Sequence, residues 1–312
     1  MTDASSATRP GRRGPCPALH ELPSPPPGRR GWPWVEETGL LPSQMPDGRQ
    51  WPRISIVTPS YNQFPFIEET IRSVLLQGYP NLEYIVMDGG STDGSIEVIR
   101  KYEPWLSCLR IGPDGGQSAA IAEGFRQATG EILAWLNSDD RYLPGALMRV
   151  AQYLQKHPRI VFINSDVNHV GQDGGLIGRS YVVGSSRVIT ANIGSHGWMQ
   201  PGCFWRREAY QACGGMDESL QFCMDRDLFL RLTGVGPARR LPGPPLAEFR
   251  HHQGAKSSTM LAVARAEHQR LLAKYSSRSL RRMRVALRLW WEWKRCGAEV
   301  RKWLHSAWGL EF

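Results

Sequence analysis

The chain has 312 residues, 41% hydrophobic, 21% charged and 10% aromatic, with a formal net charge of +9. That length supports one large or two small domains with a real core, and the composition excludes a collagen-like, coiled-coil or disulfide-scaffold chain. No apolar run approaches the roughly 20 residues of a membrane-spanning helix, and no basic start leads into a secretory h-region.

The six cysteines form no CxxC pair, so no zinc or redox motif is expected and a reduced, cytoplasmic setting fits. The charge is uneven. Residues 250–312 hold 14 of the 38 Lys/Arg and 4 of the 29 Asp/Glu, so the whole basic excess belongs to the C-terminal fifth.

Residues 1–33 are rich in Pro, Gly, Ser and Arg and nearly free of aliphatics. Such a stretch cannot offset its ordering entropy by burial, so residues 1–50 are expected to form a disordered arm whose later part can lie along the body. From Arg53 the pattern changes. ISIVTPSYN reads as a buried strand closing on a Pro-Ser turn, and Phe66–Leu76 has helical spacing before the stop at Gly78. LEYIVMDGG, CLRIGPDGG and EILAWLNSDD are further strands, with helices expected at STDGSIEVIRKY, Ala119–Thr129 and Pro144–Leu154.

IVFINSDVNHV reads as one more strand, residues 171–200 as loop with short strand, and FCMDRDLFLRL as a loop entering a helix. Strands alternating with helices predict an open α/β sheet, and ligands of such sheets sit outside the carboxyl ends of the strands. Thr58–Asn62, Asp88–Asp93 and Asn137–Asp140 are thereby expected in one cleft.

The residue types there suggest chemistry, each with an ordinary alternative. Asp88, before Gly89 and Gly90, can accept a hydrogen bond from a ring N–H or simply cap the next helix. Asp139 and Asp140 offer oxygen ligands suited to Mg²⁺ or Mn²⁺ on a diphosphate, or form a capping cluster. Asp225 and Asp227 stand beside Arg226 and Arg231, which also fits a salt-bridged turn. His251 and His252 can bind metal or be merely structural.

Taken in order, SIVTPSYNQ, ETIRSVLLQGYPNLEYIVMDGGSTDGS, DGGQSAAIAEGF, ATGEILAWLNSDDRYLPGAL, QPGCFWRREAYQACGGMDESL, MDRDLFLRL and FRHHQGAKS resemble the family 2 glycosyltransferases. These are bacterial nucleotide-sugar-dependent enzymes of the GT-A fold. The resemblance runs from about Trp51 to Ser258. It implies a Rossmann-like α/β fold over 51–258, a mixed, mostly parallel sheet flanked by helices, with residues 259–312 as a C-terminal helical extension.

It also implies roles by matched position. Pro59, Tyr61 and Asp88 would hold the base and ribose of a UDP-like donor, with Asp114 and Gln117 lining the same site. Asp139, with Asp140 beside it, would coordinate Mn²⁺ or Mg²⁺, and His252 would be a further ligand. Asp225 would be the general base. Arg231 would pack against its loop or contact phosphate, and Lys256 would close over the diphosphate. Asn137 departs from the family's first acid and leaves either weaker metal binding or a ribose contact; Ala119 stands where relatives carry a polar residue.

The expected reaction is inverting transfer of a sugar from a UDP-sugar to a hydroxyl of a glycan or lipid-linked acceptor, in surface polysaccharide or cell-wall synthesis. The alternative is a catalytically silent nucleotide-sugar-binding scaffold.

Residues 280–303 have helical spacing, with Arg281, Arg284, Arg288, Arg295 and Lys302 on one stripe and Trp290 and Trp293 opposite. A basic, Trp-bearing amphipathic helix suits the inner face of an anionic membrane, or else packs on protein. A lipid- or nucleic-acid-binding protein is a third reading that rests on this tail alone. No nucleic-acid motif accompanies the charge, so no nucleic-acid partner is expected.

Overall fold

The computed structural model describes residues 16–182 and 197–276 and, between and beyond them, only residues 187, 191, 192 and 289. The expected amphipathic stripe over 280–303 therefore lies outside the described residues, Leu289 apart. No helix among the described residues is long and apolar enough to cross a membrane.

The body is a seven-stranded sheet. Its strands are β1 (Ile54–Ser60), β2 (Leu82–Asp88), β3 (Cys108–Ile111), β4 (Ile132–Trp135), β6 (Phe162–Asn164), β9 (Cys203–Arg206) and β10 (Ala238–Arg240), in the spatial order β10-β6-β9-β4-β1-β2-β3. All neighbours are parallel except β9, which runs antiparallel to both β4 and β6. β1 is an interior strand, between β4 and β2, and every residue of it is buried, as its β-branched run requires of a strand covered on both faces.

Alternation along β1 sends Ile54 and Ile56 into one core and Val57 into the other. Helices α1 (Ile67–Leu75), α2 (Ser95–Lys101), α3 (Gln117–Gln127) and α4 (Ala146–Lys156) follow their strands close to the expected ranges. Register sets Ser60 opposite Asp88 and Val57 opposite Trp135, so the polar segments that follow these strands emerge on one edge.

The stretch IVFINSDVNHV is two strands instead of one. The chain switches sheets at Ser165 and Asp166, leaving β6 in the large sheet and starting β7 (Val167–Val170) in a small one. Asp166 holds that corner: its carboxylate accepts from Arg240 Nη2 at 2.7 Å and from the Val182 amide at 2.9 Å. The small sheet has the order β5-β11-β7-β8, with β5 (Arg141–Tyr142), β8 (Leu176–Ser180) and β11 (Ala247–Arg250).

The arm also differs from expectation. Residues 16–50 pack on the body, with Cys16, Leu22, Trp34 and Met45 buried. Composition did not reveal the partner: Arg72 of α1 is fully buried and donates to the carbonyls of Pro23, Pro33 and Trp34. A buried guanidinium needs such acceptors, and an irregular strap supplies them. Gly78, at φ +60°, permits the approach, since a Cβ there would collide with the Gly39 carbonyl.

The remaining helices are α5 (Arg207–Ala212), α6 (Met224–Val235), the short α7 (Lys256–Thr259) and α8 (Leu261–Tyr275). Phe229 of α6 stacks on Trp135 of β4 with centroids 5.8 Å apart and planes at 23°. This contact anchors α6 beneath the strand edge where the polar segments gather.

Candidate active site

A cleft of about 1060 Å³ opens at the carboxyl ends of the parallel strands. On one side it is walled by Pro59, Ser60 and Tyr61 after β1, Gly89 after β2, and Asp114, Gln117 and Asn137. Two of these loops are tied together: Asn62 Oδ1 accepts from the Thr92 amide, Ser91 Oγ from the Asn62 amide and Asp93 Oδ2 from the Phe64 amide, all at 2.8–2.9 Å. Such cross-links hold a polar loop in one shape without burying it.

Gly89 marks a close approach. A Cβ on it would lie 3.1 Å from Asp114 Oδ2 and 3.3 Å from the Tyr61 ring, so the tyrosine face and the carboxylate converge on one spot. Asp114 Oδ1 accepts the Gly116 amide at 2.7 Å, while Oδ2 has no hydrogen bond among the described residues. Tyr61 is 62% exposed, an aromatic face set at the mouth.

Asp88 is different. Its carboxylate is buried and accepts from the Gly90 amide at 3.0 Å, the Ser91 amide at 2.7 Å and Ser91 Oγ at 2.7 Å. It does not line the cleft; it shapes the turn that brings Gly89 there.

The Asn137–Asp140 loop divides in the same way. Asp139 lines the cleft, with Oδ2 3.0 Å from His252 Nε2. Asp140 faces inward, where Oδ1 accepts the Arg250 amide at 2.9 Å; burial, and then the neighbouring Asp139 charge, push its carboxyl well above the usual range. Asp140 therefore departs from the expected metal set, because its oxygens are taken by the Arg250 amide of β11 and the Asn137 side-chain amide.

Arg250 donates to the Asp139 carbonyl and pairs with Glu69 at 2.9 Å, and Arg141 bridges Glu69 and Glu248. This buried ion network fixes the loop from behind, as paired buried charges must be fixed. Asn137 is held by Gln117 and Gln200, at 2.8 and 3.1 Å. Among the described residues no group of three His, Cys, Asp or Glu could hold a metal alone. Asp139 with His252 is a hard oxygen and an imidazole, a donor set that fits Mn²⁺ or Mg²⁺ once other oxygens complete the shell.

Asp225 also lines the cleft, in the first turn of α6, with Oδ1 accepting the Arg226 amide at 2.6 Å. Its neighbour Asp227 is fully buried and binds Arg231 Nε at 2.7 Å, Tyr275 Oη at 2.6 Å and Lys274 Nζ at 3.1 Å. The two acids of this motif thus separate: Asp227 takes the salt bridges and Asp225 the solvent side. Arg231, expected among the donor contacts, stays with Asp227 and the Cys213 carbonyl and does not line the cleft. Lys256 does line it, with Nζ 3.3 Å from the Gln221 carbonyl and its ammonium lowered by burial.

Sequence reasoning missed what positions Asp225. Glu267 of α8 accepts the amides of Gln221, Phe222 and Cys223 at 2.7, 2.9 and 2.7 Å, clamping the loop that leads into α6. Leu261, Ala264, Arg265 and His268 of the same helix line the cleft. Their i, i+3, i+4, i+7 spacing was a readable signal of a shared face, but nothing local said what that face met. Residues 261–275 are thus part of the catalytic body and not of a separate tail.

Residues 55–211 match the family model described as Glycosyl transferase family 2. Chondroitin synthase of Pasteurella multocida (strain Pm70) is 29% identical over 207 residues, 65% of this chain and 21% of that protein. The putative teichuronic acid biosynthesis glycosyltransferase TuaG of Bacillus subtilis (strain 168) is 30% identical over 126 residues, 39% of this chain and 50% of that protein. The chain thus spans a fifth and a half of these relatives' lengths.

Among solved structures, S. aureus TarS 1-349 in complex with UDP-GlcNAc has a TM-score of 0.54 at 19% identity, covering 72% of this chain and 71% of that one. The mannosyltransferase PcManGT from Pyrobaculum calidifontis, in complex with GDP-Man and Mn²⁺, has a TM-score of 0.55 at 20% identity, covering 83% and 76%. These likenesses establish the fold as GT-A.

Proposed function

The chain belongs to glycosyl transferase family 2, and from that membership we propose that it moves a sugar from a UDP-sugar to a hydroxyl of a glycan or lipid-linked acceptor, inverting the anomeric centre. The observation that carries this is that Asp139 and Asp225, from different elements, line one cleft. One acid stands where a diphosphate would be held and the other where an incoming hydroxyl would lose its proton.

In this reading the Tyr61 ring stacks on the nucleobase, and Asp114 Oδ2, beside Gly89, accepts a base N–H. Asp88 acts behind them by shaping the turn. Asn137 and Gln117, already linked to each other, face the ribose. Asp139 and His252 would hold Mn²⁺ or Mg²⁺ together with the donor's phosphates, and the cation when bound supplies positive charge for the departing UDP. Lys256 adds a cation of the chain's own at the diphosphate, which lowers the cost of the developing negative charge.

Asp225 takes the proton of the acceptor hydroxyl as that oxygen attacks the anomeric carbon from the side opposite the diphosphate. One base and one displacement invert the centre, so an α-linked donor yields a β-linked product. The relatives' names support polymer synthesis at the cell surface as the setting. The composition and helical spacing of 280–303 support a peripheral seat on an anionic membrane from the cytoplasmic side.

The test is Asp225→Asn. Turnover is expected to fall steeply while UDP affinity stays at the wild-type value. Unchanged turnover would remove Asp225 as the base, and a folded wild type that binds UDP but never turns over any UDP-sugar would favour the scaffold. An α-linked product by NMR would contradict inversion.

A further inference from the structure

Helix α8 shows the cleft one face and the protein another. Leu261, Ala264, Arg265 and His268 form the cleft face. The adjacent face carries Glu267, Leu271, Lys274 and Tyr275, which grip the α6 loop, the core and Asp227. Glu267 is the helix's only acid, and its carboxylate is occupied by the backbone amides of Gln221–Cys223. Arg265 therefore meets the cleft with no acid of its own helix beside it, exposed and without an ion pair or hydrogen bond among the described residues.

A second guanidinium lines the same wall. Arg226 is buried, with Nη1 2.5 Å from His268 Nδ1. Arginine stays protonated, so Arg226 is the donor in this contact and the imidazole nitrogen the acceptor. Asp225 is the one acid that α6 and α8 contribute to the described lining; Asp114 and Asp139 come from the loops after β3 and β4.

We infer that the acceptor carries an anionic group, a carboxylate or a phosphate, held by Arg265 and Arg226 beside the attacking hydroxyl. The inference rests on reading the cleft as a transferase site with Asp225 as its base. A carboxylate base repels an anionic acceptor, and like charges meeting in a partly buried cleft would slow binding. Two guanidinium groups on the same wall reverse that sign. The planar fork of the exposed Arg265 matches carboxylate and phosphate oxygens, Arg226 adds its charge behind His268, and one such charge-assisted contact outweighs a neutral hydrogen bond about twofold. Phe222 and Leu261 give the sugar ring an apolar surface on the same wall.

The experiment is saturation-transfer NMR on the full chain with UDP and Mn²⁺, using methyl β-D-glucuronide, glycerol 3-phosphate and methyl β-D-glucoside as probes. At least one anionic probe is expected to bind roughly tenfold tighter than the neutral glucoside, the effect of one hydrogen bond to a charged group. The preferred anion separates the two sources, sugar carboxylate or phosphate.

In Arg265→Ala, an exposed substitution that leaves the fold intact, the preference is expected to shrink to about twofold or less. Arg265→Lys keeps the charge without the fork and is expected to recover part of it. Equal binding of the three probes, or a preference that survives Arg265→Ala, would overturn the inference. A preference for the anion in a protein that binds no UDP would support this site while contradicting the donor reading.

Discussion

The part of the cleft proposed to hold the donor is made by loops at the carboxyl ends of β1, β2 and β4, whereas another part is made by the start of α6 and one face of α8. The first is held by contacts between neighbouring strand ends, such as the Asn62–Thr92 and Asp93–Phe64 bonds. The second is held across the fold, by Glu267 on a loop more than forty residues earlier and by Asp227 on Lys274 and Tyr275. The proposed function assigns nucleotide binding to the rigid sheet edge. It assigns proton removal and acceptor choice to a helix pair outside that sheet.

Substitutions can break this division at either wall. The largest effect is expected for Asp225→Asn, with kcat down by about 10²–10⁴-fold and UDP affinity unchanged, checked by turnover and calorimetry. Loss of both together would mean that the walls are not separate. Asp139→Ala is expected to cost on the order of 10²-fold in turnover and to weaken Mn²⁺-dependent UDP binding, because it removes charge from the donor wall.

Glu267→Ala orphans the amides of Gln221, Phe222 and Cys223 and is expected to lower kcat by about tenfold with little change in the donor KM. Glu267→Gln keeps one acceptor oxygen and should restore part of that loss, which a purely structural residue would not show. The smallest effect on chemistry is expected from Trp34→Ala in the N-terminal strap. It should lower unfolding stability by about 3 kcal/mol while leaving kcat within twofold below the melting transition. A large fall in kcat there would tie the strap to the cleft.

Legibility in the sequence followed the same division. The β1, β2 and β4 segments were readable because a buried parallel strand is a continuous apolar run that ends abruptly in polar residues. Their motifs correctly indicated a shared cleft. Individual side chains were less readable, since position in a motif does not say which way a carboxylate turns. Asp88 points into its own turn, Asp140 turns inward to the Arg250 amide, and Arg231 stays with Asp227.

The strap was misread because its order depends on Arg72, a single buried cation whose need for carbonyl partners has no local signature. The sheet switch at Asp166 escaped for a similar reason: the partner that stabilises the corner, Arg240, is distant in the chain. Helix α8 was grouped with the basic tail on composition, although Leu261, Ala264, Arg265 and His268 already had the spacing of a common face.

The most direct test of a cleft with separate donor and catalytic walls is calorimetry of UDP, with and without Mn²⁺, on wild type, Asp139→Ala and Asp225→Asn. The account predicts Mn²⁺-dependent binding in wild type, equal binding in Asp225→Asn and a sharp loss in Asp139→Ala. Equal loss in both variants, or no nucleotide binding by folded wild type, would contradict it.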